Sequence, residues 1–322
     1  MKICLVGPGL KPIPPLGWGA VESLVWDYYE ILKQKGVSVE ICNHSSPNEM
    51  VHFINTNHFS VVHIMYDDHI FLAPYINTEK THILYTSHFA YITEPDFATK
   101  RKGYYDHIFM EVIRKQHRLS AVHAISNEIL ERYCANGMAR DKIKTLSNGA
   151  REDKFIYRKE PMKKDKSLYL AKIEMRKKQY LYQTIPSIDF AGNYQDSSFD
   201  RRLPNYLGEW SKHSLYQNLS HYGNLVLLSD GEADPLVVKE ALICGLGVVL
   251  SECSAANLDR SKKFITIIPN DKLGDVGFVE SEILKNRAVS VRMREEIREY
   301  GITHFSWNHI IDKYIQMLHT LP

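Results

Sequence analysis

The stretch from Ser229 to Glu240, Ser-Asp-Gly-Glu-Ala-Asp-Pro-Leu-Val-Val-Lys-Glu, has the residue types and spacing of a site for a phosphorylated ligand. Asp is favoured just before a helix and Pro at its first position, so Asp234 and Pro235 predict a helix start. The backbone N–H groups of Leu236 and Val237 then lack partners within the helix. The positive end of the helix dipole adds to them, so an anion fits there. Glu232 precedes this point and Glu240 lies inside the helix. An ionised carboxylate accepts hydrogen bonds from both hydroxyls of a diol, so two acids flanking a phosphate site suit a hydroxyl-rich ligand. The same residues equally fit a strand–loop–helix unit whose acids are solvated.

Such a site needs strands and helices to position it, and the chain supplies them twice. Lys2 to Gly7 is an apolar run ended by glycine, as in a strand buried on both faces. A Gly/Pro-rich loop, Pro8 to Gly19, leads to Val21, Leu24, Val25, Tyr28, Ile31 and Leu32, one face of a helix that Gly36 stops. Strands are predicted over Val37–Ile41, Ser60–Met65, His82–Thr86 and Leu119–Ile125, with a helix from Ser126 to about Cys134. Arg158 to Lys166 is charged, contains Pro161, has no apolar period and reads as a linker. Further strands at Ser167–Ala171, Ile188–Gly192, Leu225–Ser229 and Gly247–Ser251 follow, with a helix from Pro235 to Cys244. Trp307, Ile310, Ile311, Tyr314, Ile315 and Leu318 give the tail an amphipathic helix. The fold class is α/β, in two Rossmann-like halves.

Composition narrows the function. The 322 residues carry 40 Lys+Arg against 38 Asp+Glu, a net charge of +2, which lacks the basic excess of a general nucleic-acid binder. The longest mainly apolar stretch, Ala241 to Leu250, is far short of the roughly 20 residues a membrane span needs. The first residues break at Gly7-Pro8-Gly9, too early for a secretory leader, and the expected location is cytoplasmic. Five scattered cysteines (4, 42, 134, 244, 253) without a C-x-x-C pair read as reduced, packed thiols.

Glu232 and Glu240, with seven residues between them, and the continuation Glu240-Ala-Leu-Ile-Cys-Gly-Leu-Gly-Val-Val resemble the E-x7-E segment and "EALxxGxPVV" run of the retaining glycosyltransferases of the GT4 family. That family has the GT-B fold. The sequence departs from it at Gly247, where Pro is usual, and at Asp234-Pro235. Other segments resemble the family in the required order. Gly17-Trp18-Gly19-Ala20-Val21-Glu22 resembles its glycine-rich loop. Tyr85-Thr86-Ser87-His88 resembles the strand end bearing its active-site His. Leu146 to Ala150, with Phe155, resembles its "NGVD…F" turn. Leu170-Ala171-Lys172-Ile173 with Lys177 resembles "GR(L/I)…K", with Ala171 for Gly and Lys172 for Arg, and Phe305-Ser306-Trp307 resembles its "FSW" entry to the last helix. Lys keeps the charge of Arg but loses its bidentate fork.

The resemblance implies a GT-B protein: a first Rossmann-like domain over 1–155 on the acceptor side, a nucleotide-sugar-binding domain over 156–304, and a helix over 305–322 returning to the first domain. It implies transfer, with retention, of a sugar from a UDP- or GDP-type nucleotide sugar to a glycan, glycolipid or small-molecule acceptor, with domain closure excluding water. Gly17 and Gly19 would let backbone approach the diphosphate, which Lys172, Lys177 and the N–H groups of Leu236 and Val237, behind Asp234, would neutralise as it leaves. Glu240 would bind the ribose, Glu232 the transferred sugar, and His88 the sugar or its oxocarbenium-like state. No cofactor and no divalent metal are implied. Asp67-Asp68 reads as a loop pair and His63 as a core-edge residue. Lys100 to Arg118 interleaves basic and aromatic residues, a pattern of peripheral membrane contact that a helix packed on the sheet explains better. Two other readings stand beside this one. One is a non-catalytic sugar-nucleotide binder. The other is an NAD-dependent oxidoreductase, weakened because Pro12 stands where G-x-G-x-x-G needs its third glycine.

Overall fold

Ile3 to Val6 have no exposed surface, because the strand they form, β1 (Lys2–Val6), is central in a parallel sheet covered on both faces. The computed structural model describes residues 1–17, 19–89, 92–93 and 103–322, with Tyr104 and Tyr105 as backbone only. The chain divides into two units, Met1–Ser147 with Trp307–Pro322, and Asn148–Ser306.

In the first unit β1, β2 (Ser38–Cys42), β3 (Val61–Ile64), β4 (His82–Thr86), β5 (Ala121–Ala124) and β6 (Ile143–Thr145) pair in the order β2-β1-β3-β4-β5-β6, every pair parallel. Helices α1 (Ala20–Gln34), α2 (Pro47–Thr56), α3 (Tyr104–Arg114) and α4 (Asn127–Ala135) accompany them. The apolar face of α1, Leu24, Val25, Tyr28, Ile31 and Leu32, is buried, and Ser126 caps α4 by accepting from the Ile129 N–H at 3.3 Å.

The tail helix α10 (Trp307–His319) belongs to this unit. Its Trp307 and Tyr314 rings meet Tyr28 edge-on at centroid distances of 5.1 and 5.0 Å, a favoured aromatic arrangement. The Tyr314 hydroxyl also lies 2.9 Å from His63 Nδ1. Beneath it runs a buried chain: His63 Nε2 to Thr86 Oγ1 at 2.6 Å, Thr86 Oγ1 to His123 Nδ1 at 2.9 Å, and His123 Nε2 to the Leu146 carbonyl at 2.7 Å. His63 is thus a fully buried, hydrogen-bonded core residue.

Of the basic segment, Lys100, Arg101 and Lys102 lie outside the described residues. In α3, Ile108, Phe109, Val112 and Ile113 are buried, and Phe109 stacks on Tyr133 at 4.9 Å. Burying this apolar face favours a packed helix over an interfacial one. Among the described residues no helix is long and apolar enough to cross a membrane.

In the second unit the order is β11-β10-β9-β7-β8, again all parallel: β7 (Lys163–Leu170), β8 (Ile188–Ala191), β9 (Tyr222–Leu227), β10 (Gly247–Ser251) and β11 (Ile265–Ile268). Helices α5 (Gln179–Tyr182), α6 (Lys212–Asn218), α7 (Leu236–Ile243), α8 (Val276–Arg292) and α9 (Arg294–Phe305) accompany it. The division after Ser147 comes earlier than residue 155, and Arg158–Lys166 is not a linker. Its second half opens β7, where Lys163 and Lys166 pair with Asp189 at 3.0 and 3.2 Å. Charge in this segment marks the start of an interior strand whose lysines pair with the neighbouring strand, which residue type alone does not distinguish from a solvated connection.

Chain order places a switch point between β7 and β9, since the chain steps from β7 outward to β8 and then returns to the other side. Ligands of open α/β sheets bind at the carboxyl ends of the strands at such points.

Candidate functional site

The loops at that switch point are 171–178 after β7 and 228–235 after β9, and they contain Lys172, Lys177, Glu232 and Asp234. Buried Tyr169 ties them together: its hydroxyl accepts from the Leu228 N–H at 2.9 Å and donates to the Lys177 carbonyl. The first loop packs tightly on the end of β8. Gly192 has φ 154°, and a Cβ there would lie 1.8 Å from the Ala171 carbonyl oxygen, so only glycine fits.

Lys177 donates to the Glu232 carboxylate, and both side chains are about one-tenth exposed. Arg176 completes the cluster. Its guanidinium donates to the Gly231 carbonyl, to Glu174 at 2.6 Å and to Ser229 Oγ at 3.4 Å, and it lies 3.5 Å from Glu232 Oε1. Lys172 lies 3.5 Å from Glu174. Three cations and two acids thus alternate at one end of the sheet. Arg176 reads in the sequence as part of a solvated basic run with Lys177 and Lys178. Its place between Lys172 and Lys177 is the signal that would have found it.

The helix after this cluster begins one residue later than its sequence suggests: α7 runs Leu236–Ile243 with Pro235 as its N-cap. Asp234 is therefore not the cap, and its carboxylate turns away. It accepts from the Asn148 N–H at 2.7 Å and from the Lys239 ammonium, and the Asn148 side-chain amide donates to the Asp234 carbonyl at 2.9 Å. The Asp234 and Lys239 side chains have no exposure. Burial pushes the Asp234 carboxyl above its ordinary value, against the pull of Lys239. Asp234 thus fastens the helix start to the turn at Asn148. A cap of proline leaves the N–H groups of Leu236 and Val237 at the first helical positions. Glu240, one turn on, lies 3.5 Å from Lys212 of α6.

Gly247, where the resembled family has Pro, has a local reason. Its N–H donates to Ser290 Oγ at 2.7 Å, and a Cβ would lie 2.9 Å from that serine's Cβ. Proline has no N–H to give.

In the first unit, Gly17 is exposed in the loop before α1 and Gly19 is the N-cap of α1. Trp18 lies outside the described residues. A Cβ on Gly19 would stand 2.8 Å from Glu22 Oε2, so that carboxylate occupies the side which the glycine leaves open. His88 follows β4. Both its ring nitrogens are buried and have no hydrogen-bond partner among the described residues. Burial drops its pKa to about 3, so the ring is neutral, with one donor and one acceptor unused. Beside it, Asp67 accepts from the Ser87 hydroxyl, from Tyr85 at 3.4 Å and from the His88 N–H. Burial raises its pKa to about 6. Asp67 and Asp68 thus open a helical turn, in which Asp67 is held by these hydrogen bonds. Among the described residues no cluster of three or more His, Cys, Asp and Glu is arranged to hold a metal ion.

No protein-family model and no curated protein matches the sequence. Solved structures do match it in fold. Sucrose-phosphate synthase from Thermosynechococcus elongatus superposes with a TM-score of 0.79 at 14% identity, over 99% of this chain and 98% of the other. HepE from Anabaena, solved with UDP and glucose, gives 0.74 at 14% identity over the full length of both chains. AviGT4, a glycosyltransferase involved in avilamycin A biosynthesis, gives 0.67 at 14% over 99% and 97%. At these identities the likeness is one of fold: this is an α/β chain of two parallel-sheet Rossmann-like units, as in the GT-B glycosyltransferases.

Proposed function

We propose that this chain is a glycosyltransferase that moves a sugar from a nucleotide diphosphate sugar to a hydroxyl-bearing acceptor, with retention at the anomeric carbon, in the manner of the GT4 family. The observation that carries the reading is the alternation of Lys172, Glu174, Arg176, Lys177 and Glu232 at the β7/β9 switch point, next to the start of α7. The neighbours in fold support it: HepE was solved with UDP-glucose, and another, WaaB, is a lipopolysaccharide outer core galactosyltransferase matching at a TM-score of 0.64 and 15% identity.

In this reading the diphosphate lies against the N–H groups of Leu236 and Val237 and draws the Lys177 ammonium, with Lys172 and Arg176 beside it. Negative charge grows on the diphosphate as the glycosidic bond breaks. Fixed cations there stabilise the transition state more than the ground state, and no divalent metal is needed for that role. Glu232, freed from Lys177, receives hydroxyls of the transferred sugar. Glu240 accepts from the ribose. From the first unit, neutral His88 contacts the sugar or its oxocarbenium-like state; neither of its ring nitrogens has a hydrogen-bond partner among the described residues.

The test is a thermal-shift panel of UDP-, GDP- and ADP-sugars, followed by proton NMR of the anomeric centre in the product. One nucleotide sugar at a hundredfold excess over its Kd stabilises by about 2.7 kcal/mol, and its product keeps the donor's anomeric configuration. Stabilisation by none of them ends the reading. Stabilisation without release of nucleoside diphosphate, whatever hydroxyl compound is added, assigns the chain to non-catalytic binders.

A further inference from the structure

Three consecutive residues at the carboxyl end of β4 are fixed by their neighbours in the first unit. Thr86 sits between His63 and His123 in the buried chain. The Ser87 hydroxyl donates to the Asp67 carboxylate, and the His88 backbone N–H donates to the same group. The Tyr85 hydroxyl reaches it from 3.4 Å. Asp67 follows β3, the strand paired with β4. A carboxylate has two oxygens and about four acceptor positions, so Asp67 takes all three donors at once.

The bond from the His88 N–H has a consequence for the ring. The His88 imidazole makes no hydrogen bond of its own among the described residues, so its direction is set by packing and by the backbone from which it departs. We propose that Asp67 is the positioning residue of His88: by accepting from the Ser87 hydroxyl and the His88 N–H, it fixes the turn that presents the ring. What the ring then touches rests on the glycosyltransferase reading, whereas the hydrogen bonds belong to the first unit alone.

The hold depends on charge, because a hydrogen bond to an ionised acceptor is roughly twice as strong as a neutral one. Burial places the Asp67 pKa at about 6, so the hold weakens on the acid side of neutrality. Of the groups around it, Asp68 shares its turn, and His69 turns to the Pro8 carbonyl at 3.3 Å. Tyr85 of β4 and Tyr133 of α4 face Asp67 and stay neutral, since burial raises both. From α3 the neighbours are Ile108 and Phe109. His88 and His123, with pKa values of about 3 and about 4, are neutral throughout this range.

The test follows the His88 backbone amide by proton–nitrogen NMR of the full chain between about pH 5 and 7.5, alongside kcat for sugar transfer. In wild type the amide shift is expected to change with a midpoint of about 6, and kcat to fall about tenfold or more on the acid side with the same midpoint. Asp67→Asn should abolish both midpoints and keep the low rate throughout, with KM for the donor unchanged. Ser87→Ala removes a hydrogen bond that favours the charged form, so both midpoints should move above 6; a loss of packing alone would not move them. An amide that does not titrate in wild type, or that still titrates in Asp67→Asn, overturns the proposal, and so does transfer without the acid limb. A chain whose amide titrates as expected but which binds no nucleotide sugar would refute the donor reading while leaving the hold of Asp67 on His88 standing.

Discussion

Lys177 and Glu232 are joined by an ion pair in which each side chain is about one-tenth exposed, one supplied by the loop after β7 and the other by the loop after β9. In the proposed reading these are a cation for the diphosphate and the acid for the sugar, each holding the other in place until a donor takes both, so that the charges are preorganised.

Lys177→Ala should therefore lower kcat by about 10²–10³, since removing one preorganised donor typically costs about 2.7–4 kcal/mol of transition-state stabilisation. Glu232→Gln keeps the shape and should leave UDP affinity nearly unchanged while transfer falls. Steady-state release of UDP, with UDP titrated separately, checks both. Equal losses of UDP affinity and kcat in Glu232→Gln would move Glu232 from the sugar to the nucleotide.

Glu240 has a different assignment and so a different signature. Glu240→Ala should weaken UDP by about tenfold or more, as expected for charge-assisted hydrogen bonds to ribose. Inhibition by inorganic pyrophosphate, which has no ribose, should not change. An equal loss for both inhibitors would place Glu240 at the phosphates.

Asp234→Ala leaves the Lys239 ammonium buried beside the Ala256 carbonyl without its counter-ion. Breaking a buried pair from one side costs about 3–5 kcal/mol, and the variant should lose that much in urea unfolding. Asp234→Leu with Lys239→Met should recover most of it. A single variant as stable as wild type would show that the pair does not anchor α7.

The buried histidine chain makes a prediction about acid. The Leu146 carbonyl only accepts, so His123 Nε2 donates to it and His123 Nδ1 accepts from Thr86. Thr86 then accepts from His63 Nε2, and His63 Nδ1 accepts from Tyr314. Burial lowers the pKa of His123 to about 4, against 6.5 for the free side chain. Between those values the unfolded chain binds a proton that the folded chain does not, so stability falls as pH drops from 6.5 toward 4. His123 contributes about 2–3 kcal/mol of that loss by pH 4.5. Gln in its place can donate to Leu146 and accept from Thr86. Tm measured at pH 6.5 and 4.5 should therefore fall less in His123→Gln than in wild type, and an equal fall would show that His123 is charged in the folded state. Asp67, its pKa raised to about 6, works in the opposite sense over the same range and is common to both proteins.

Periodicity and turn residues made most of the frame legible. The strands of the first half, the buried face of α1 and the tail residues Trp307, Ile310, Ile311, Tyr314 and Leu318 follow the alternations that folding onto a sheet requires. Glu232 and Glu240 stand out in the sequence by their spacing, whereas Lys172 and Lys177 stand out only by resemblance to a family motif. The hidden part depended on partners distant in sequence. Asp234 has every local mark of a cap, but Lys239 and Asn148 offer its carboxylate a better set of donors. Arg176 looks solvated until Gly231 and Ser229 come up beside it. Lys163 and Lys166 look like linker until Asp189, on the next strand, pairs with both.

The most direct test of the account is the position of UDP in a crystal of this protein. The account predicts its β-phosphate beside Lys177 and the Leu236 and Val237 N–H groups, with the ribose hydroxyls on Glu240. A diphosphate bound away from the start of α7, or a ribose that does not touch Glu240, would contradict it.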